Sequence, residues 1–205
     1  MKVADRIQVF IDLDGVLADF LSAACVRLGR KLDELPTGTY DLSRLFEMSW
    51  ADIDAKIGRD YEFWRHMPAY LWAKDVVALL RKAQTDGIVS DIFVLSSPWQ
   101  QSPECHKAKL EWCDVVLGIP TSDVILTPHK ELLAAPNRLL IDDLRSHCED
   151  WSERGGYAIM FPCYHNTDQM WTFSSDPFIH FSVALACTIV THNYFKNQKY
   201  HVPLN

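Results

Sequence analysis

An α/β fold is what this sequence predicts: a mostly parallel sheet flanked by helices, with a small helical cap inserted after the first strand. Three observations carry the prediction. Short apolar runs at residues 9–11, 91–95, 124–126, 138–141 and 157–161 alternate with segments of helical periodicity, the pattern of parallel strands covered on both faces. Three of those runs end in polar pairs, Asp12 with Asp14, Ser96 with Ser97, and Asp142 with Asp143, and open α/β sheets bind ligands at the carboxyl ends of their strands. The interval between the first two runs carries Tyr40, Phe46, Trp50, Tyr61, Phe63, Trp64, Tyr70 and Trp72 on short helical patterns, with no strand pattern among them. The expected division is a core of residues 1–19 and 74–205 and a cap of residues 20–73.

The elements follow in order. Gly15 lets the chain turn sharply out of the first strand without a Cβ penalty. Residues 20–32 place Phe20, Leu21, Ala24, Leu28 and Leu32 at helical spacing, and Pro36 with Gly38 break that pattern. A short helix is expected over residues 41–46, and Ser49 with Asp52 three positions on forms a near capping box for the next. Residues 73–87 turn Val76, Val77, Leu79 and Leu80 inward and stop at Gly87. Helices over residues 104–113 and 145–153 follow the second and fourth strands, and Gly155 with Gly156 end the latter. A closing helix over residues 178–194 is expected to pack on the sheet, a homodimer face being its alternative use.

The chain is long enough, at 205 residues, for one core plus a modest insert. A net charge of −7 argues against a nucleic-acid polymer as partner, which calls for a basic surface. It leaves room for a small anionic substrate, because a metal and a few cations can dominate one pocket. No basic-then-apolar leader opens the chain, and the apolar stretch at residues 183–190 is too short to span a bilayer, so neither a secretory signal nor a membrane role is expected. The six cysteines lack chelating spacing and read as free, mostly buried thiols of a cytoplasmic protein.

The strand ends carry the chemistry. Asp12 and Asp14 repel each other unless a cation or a shared proton relieves them, and hard oxygen ligands of this kind suit Mg²⁺. A carboxylate can attack phosphorus and split hydrolysis into two easier steps. A second acid can protonate the leaving oxygen and later activate water. A hydroxyl and a lysine can hold the non-bridging phosphate oxygens. Each residue alone has a plainer use: Asp-x-Asp-Gly as a turn, Ser96 and Ser97 as caps, Lys107 and Lys109 as solvated helix charges. Asp142 and Asp143 resist such a reading, since acids at a buried sheet edge need compensation.

In this order the stations resemble the four motifs of the haloacid dehalogenase superfamily of phosphotransferases. The string Asp12-Leu13-Asp14-Gly15-Val16-Leu17-Ala18-Asp19-Phe20 resembles its 5'(3')-deoxyribonucleotidase branch. So do Ser97-Pro98, Lys109-Leu110-Glu111-Trp112, and the stretch from Met160 to His165 and Asn166. The resemblance implies Asp12 as nucleophile, Asp14 as acid/base, Ser96 as the motif-two hydroxyl and Lys109 as the motif-three lysine. It implies Mg²⁺ held by Asp12, Asp14 and Asp143, with Asp142 in support. The branch's usual motif-two threonine is Ser96 here, and Gln100 and Gln101 stand where a basic residue is usual. His165 and Asn166 are read as a structural pair.

The implied substrate is a nucleoside monophosphate, probed on its flat face by aromatics, since base–aromatic stacking is worth about 1–3 kcal/mol per base. Phe20, Tyr40, Phe63 and Trp64, with Ser97, are the candidates for that slot. Against them stands the use of cap aromatics as a small hydrophobic core. The alternatives to a nucleotidase are a phosphatase for another small ester, such as a sugar phosphate, and a non-catalytic protein retaining the fold.

Overall fold

A computed structural model describes residues 6–36, 38, 40–166 and 177–199. The elements run β1 (Ile7–Ile11), α1 (Phe20–Leu28), α2 (Leu42–Phe46), α3 (Trp50–Ile53), α4 (Tyr61–Arg65), α5 (Ala73–Thr85), β2 (Val89–Ser96), α6 (Pro103–Leu117), β3 (Val124–Leu126), β4 (Arg138–Asp142), α7 (Arg145–Glu153), β5 (Tyr157–Met160) and α8 (Pro177–Lys199). The five strands form one sheet in the order β3-β2-β1-β4-β5. Every pairing in it is parallel.

β1 lies in the middle, fully covered, because Val9, Phe10 and Ile11 are apolar on both faces. Ile11 sits level with Val94 of β2 and Ile141 of β4, so the residues just beyond these three positions emerge side by side. The chain builds outward from β1 to β2 and β3, then returns to place β4 on the other side, and the crevice lies where that direction reverses.

Helix ends follow local chemistry. Asp19, Asp41, Ser49, Asp60 and Ser102 cap α1, α2, α3, α4 and α6 by accepting from backbone amides of the first turn. α1 is shorter than its apolar spacing predicts. Gly29 takes a left-handed conformation (φ 71°) and stops the helix before Leu32, which enters a separate 3₁₀ turn. α6 is longer than predicted, running from Pro103 to Leu117, and is closed by Gly118, which is also left-handed. After α3 the chain widens into a π-helical turn, Asp54–Gly58.

α8 buries Phe181 and Leu185 and sets Phe181 against Phe161 and His192 against Tyr157. The six cysteines are free, and all but Cys187 are buried. Among the described residues, no helix is long and apolar enough to cross a membrane.

Candidate active site

At the tip of β1 the strand ladder continues for one residue, the Asp12 amide donating to the Ile141 carbonyl at 2.8 Å. The Asp12 carboxylate is therefore fixed at the sheet edge, where its Oδ1 accepts from the Leu13 amide at 2.7 Å. Asp12, Ser96, Lys109, Asp142 and Asp143 are all buried there.

Two buried lysines serve three carboxylates. Lys109, from α6, uses all three of its donors: on Asp14 Oδ2 at 2.5 Å, Ser96 Oγ at 3.0 Å and the Ser97 carbonyl at 2.8 Å. Its ammonium also lies 5.2 Å from the centre of the Trp64 ring. Lys130 follows β3 and spans Asp12 Oδ2 at 2.8 Å and Asp142 Oδ2 at 2.7 Å. Burial alone would push both ammoniums down, but the carboxylates against them reverse the sign and hold both above the ordinary lysine value.

Lys130 was not among the residues expected from sequence. In Thr127-Pro128-His129-Lys130 it reads as a loop charge, and only the fold puts it beneath the nucleophile candidate. Its signal is faint: a lysine followed by Leu132 and Leu133, in a turn opening directly after a core strand.

Asp142 is expected in support of the metal ligands, and its carboxylate oxygens have partners of their own. Its Oδ2 accepts from Lys130, its Oδ1 from the Leu144 amide at 2.9 Å, and His147 Nδ1 lies 3.1 Å from both. Burial works to raise its pKa, yet Lys130 and His147 hold it below the usual carboxylate range. These oxygens are committed, so Asp142 anchors Lys130. Asp12, Asp142 and His147 do cluster within 4.8 Å, but Lys130 already occupies the position between the two acids.

The rest of the cluster fits a divalent cation. Four carboxylates face two buried lysines, which leaves an excess of negative charge. Asp14 Oδ1 is buried without a hydrogen-bond partner. Asp12 shows the same excess: burial, with the charges of Asp142, Asp143 and Asp14, raises its pKa to about 8 against the pull of Lys130. A hard cation among Asp12, Asp14 and Asp143 would relieve all of these together.

Gly15 shapes this arrangement. Its φ is +83°, and a Cβ there would run into the Asp143 carboxylate. Asn166 holds Asp143 from behind, its side-chain amide donating to the carbonyls of Asp143 at 2.8 Å and Phe161 at 2.7 Å while its Oδ1 accepts from the Cys163 amide at 2.9 Å. The structural reading of Asn166 thus holds, while the His165 side chain lies outside the described residues. Gly15→Ala is expected to cost about 1–2 kcal/mol from the dihedral alone. It should also displace Asp143 and lower turnover about 100-fold, since misplacements of an ångström carry such losses. Thermal melting and steady-state kinetics on one preparation measure both.

A cavity of about 540 Å³ opens onto Asp14. Phe20, Tyr40, Trp64 and Ser97 line it, as the sequence predicts. Phe20 stacks on Trp64 with ring centres 5.6 Å apart. Tyr40 is partly exposed as a side chain, but burial of its hydroxyl, with the charges of Asp143, Asp14, Asp12 and Asp142, raises that group well above the usual phenol value. Phe63 is the exception among the expected aromatics. Neighbours on a helix diverge by about 100°, and with Trp64 turned to the cavity, Phe63 faces a separate groove shared with Val26, Arg27 and Pro68. It packs edge-on against Phe20 and Trp64. Leu42, Trp50, Asp54, Arg59, Pro98, Trp99, Gln100 and Gln101 complete the cavity wall, and none of them was a candidate for the base slot.

Paired acids at a central strand tip, one of them bonded to a lysine that also holds a serine hydroxyl, define with the comparisons that follow a hydrolase of the haloacid dehalogenase type. Two solved structures share the fold: a haloacid dehalogenase-like hydrolase from Xanthomonas campestris (TM-score 0.54, 14% identity, covering 93% of this chain and 94% of that one) and a phosphonoacetaldehyde hydrolase-like protein from Oleispira antarctica (TM-score 0.51, 14% identity, 92% and 86%). Residues 5–173 match the family model for 5' nucleotidase, deoxy (pyrimidine), cytosolic type C protein, and the chain belongs to this family. It is 28% identical over 174 residues to the cytosolic-type 5'(3')-deoxyribonucleotidase of Homo sapiens, covering 80% of this chain and 84% of that one. The chain is therefore a phosphatase of the 5'-nucleotidase type.

Proposed function

We propose that the chain is a cytoplasmic, Mg²⁺-dependent hydrolase of nucleoside monophosphates, deoxyribonucleotides foremost, acting through an aspartyl-phosphate on Asp12. The observation that supports this most directly is the pairing of each motif-one acid with its own buried lysine, Asp12 with Lys130 and Asp14 with Lys109. One acid is thereby placed for attack and the other kept at the cavity. The relative's cytosolic type and the free thiols support the compartment.

In the first half-reaction an Asp12 oxygen forms a bond to phosphorus as the bond to the leaving oxygen breaks, and Asp14 supplies the proton that oxygen takes up. In the second, Asp14 takes a proton from water as the water oxygen attacks phosphorus, releasing phosphate and restoring Asp12. Ser96 and Lys109 donate to the non-bridging oxygens and so hold the phosphoryl group in line. Lys130 bridges Asp12 and Asp142 and offsets part of their charge. Asp12, Asp14 and Asp143 would hold Mg²⁺, whose charge lets an anionic nucleophile approach an anionic ester. The helices of residues 20–73 serve as the cap, with Phe20 and Trp64 offering the flat surface a base requires.

The test is phosphate release from a panel of nucleoside monophosphates and sugar phosphates, with Mg²⁺ and with chelator. Nucleotide hydrolysis that depends on Mg²⁺ is the expected result. Preference for a sugar phosphate, or equal rates in chelator, would overturn the reading.

A further inference from the structure

Two tryptophans of the cavity wall are held by one short turn of the cap. Trp64 donates from its indole nitrogen to the Gly58 carbonyl at 3.2 Å. Trp99 donates from its own to Asp54 Oδ1 at 2.5 Å. Both acceptors belong to the π-helical turn Asp54–Gly58, and such turns are frequent at functional sites. Gly58 is buried, and a Cβ on it would lie 2.1 Å from Asp54 Oδ1 and 2.6 Å from Trp99 Nε1. The turn closes tightly on the bond it makes, and glycine leaves the room for it.

Trp99 itself lies outside the cap, on the loop that leaves β2 just beyond Ser96 and Ser97. Its backbone is fixed there as well: its amide donates to Cys105 Sγ at 3.3 Å, and its carbonyl accepts from the Ser102 amide at 3.2 Å. Gln101, in the same loop, has a φ of +60°, a strained value that persists only where the surroundings over-determine the backbone. The Asp54 bond thus ties the cap to this loop. Among the described residues, no lysine, arginine or histidine forms an ion pair with Asp54, so its charge serves the Trp99 bond, and charge-assisted hydrogen bonds are the strong ones.

The rings form a continuous series. Phe20 meets Trp64 at 5.6 Å, Trp64 meets Trp99 at 5.7 Å, and Trp99 meets Trp50 at 6.1 Å between ring centres. One end of the series touches the reacting groups, since Trp64 lies beside the Lys109 ammonium. The other end is open, Trp50 being 53% exposed. Trp99 sits between the two ends, and all four rings line the cavity. An indole left free to rotate would have to be ordered by each arriving ligand, and a ring fixed beforehand avoids that cost.

Resting on the nucleotidase reading, we propose that Trp99 offers the base a further flat surface and that Asp54 is a positioning residue, which fixes that ring through its indole nitrogen. Stacking tolerates any base, because every base has a π-face. The device therefore favours nucleotides over base-free phosphate esters and acts on binding, away from the phosphorus.

The test is KM and kcat for dUMP and for base-free 2-deoxyribose 5-phosphate, with wild type, Asp54→Ala, Trp99→Phe, their double variant and Asp54→Asn. Asp54→Ala removes the acceptor and Trp99→Phe the donor, so the same bond is broken from either side. Each is expected to raise KM for dUMP about tenfold while kcat stays within about twofold. The double variant should be no worse than the poorer single one, as for residues that act through one contact. Asp54→Asn, whose amide oxygen still accepts from the indole, should restore KM to near wild type. Should Asp54→Ala fail to fold, the contrast of Trp99→Phe with Asp54→Asn decides. A KM for dUMP that neither broken bond moves overturns the inference alone, as does an equal rise for the base-free ester. An Asp54→Asn variant as poor as Trp99→Phe would show that the carboxylate charge meets the ligand directly, which also overturns it. A wild type that hydrolyses the base-free ester as well as dUMP removes the nucleotidase reading and this inference with it.

Discussion

Asp12→Asn is expected to abolish phosphate release, by about 10⁴-fold or more, because an amide cannot form the acyl phosphate and loss of a covalent nucleophile carries effects of that order. The same substitution should change the pH dependence of stability. In the metal-free fold Asp12 titrates near 8, against an ordinary value of 3.8. Between those values the native state holds a proton that the unfolded chain has released, so Asp12 makes stability fall as pH rises through this window. His147 adds to the fall at its upper end: burial opposes its charge, but the Asp142 hydrogen bond and charge raise its pKa above the ordinary 6.5. Removing the Asp12 carboxyl leaves only the His147 share. Denaturant melts of the metal-free proteins at pH 5 and pH 8 measure it, and an unchanged slope in the variant would refute the assignment.

Lys130→Met is expected to carry the largest stability effect. Methionine matches the lysine stem in length and flexibility but leaves Asp12 and Asp142 buried, close and without their shared cation. Breaking a buried ion pair from one side costs about 3–5 kcal/mol, which lowers Tm by on the order of 10 °C in a chain of this size. Turnover should fall about 10²–10³-fold, the usual loss for one preorganised donor in such a site, because Asp12, relieved of its main counterion, holds its proton to higher pH. Wild-type Tm and kcat in this variant would show that Lys130 is a bystander.

The contrast between Lys109 and Lys130 shows what sequence can carry. Lys109 was legible because it sits on a helix directly after the serine strand, within a recognisable Lys-x-x-Trp. Lys130 has equal burial and a similar bond pattern, yet its partner Asp12 lies far away in sequence and its local string fits a solvated turn. The sheet itself was readable from apolar runs: β3 and α7 fall where their patterns put them, and the polar strand ends meet as expected. Helix ends were less readable, since Gly29 outweighed the apolar spacing that continues to Leu32. Phe63 and Trp64 mark another limit. Both are aromatic and adjacent, and which of them faces the cavity depends on how α4 docks against α6, a property of the packed whole. Asp54 and Arg59 escaped for the same reason, being ordinary charges in sequence until the packed chain sets both on the cavity wall.

Asp14 meets Lys109 across 95 positions of sequence, and Gln8 meets Arg138 across 130. Contacts of such range must close long loops before they are rewarded, and they form slowly. During synthesis the two leading acids therefore precede every strand and lysine that they meet in the folded chain. The site is complete only when α6, the turn after β3 and β4 have all joined β1, so its carboxylates gain their cations from segments made long after them.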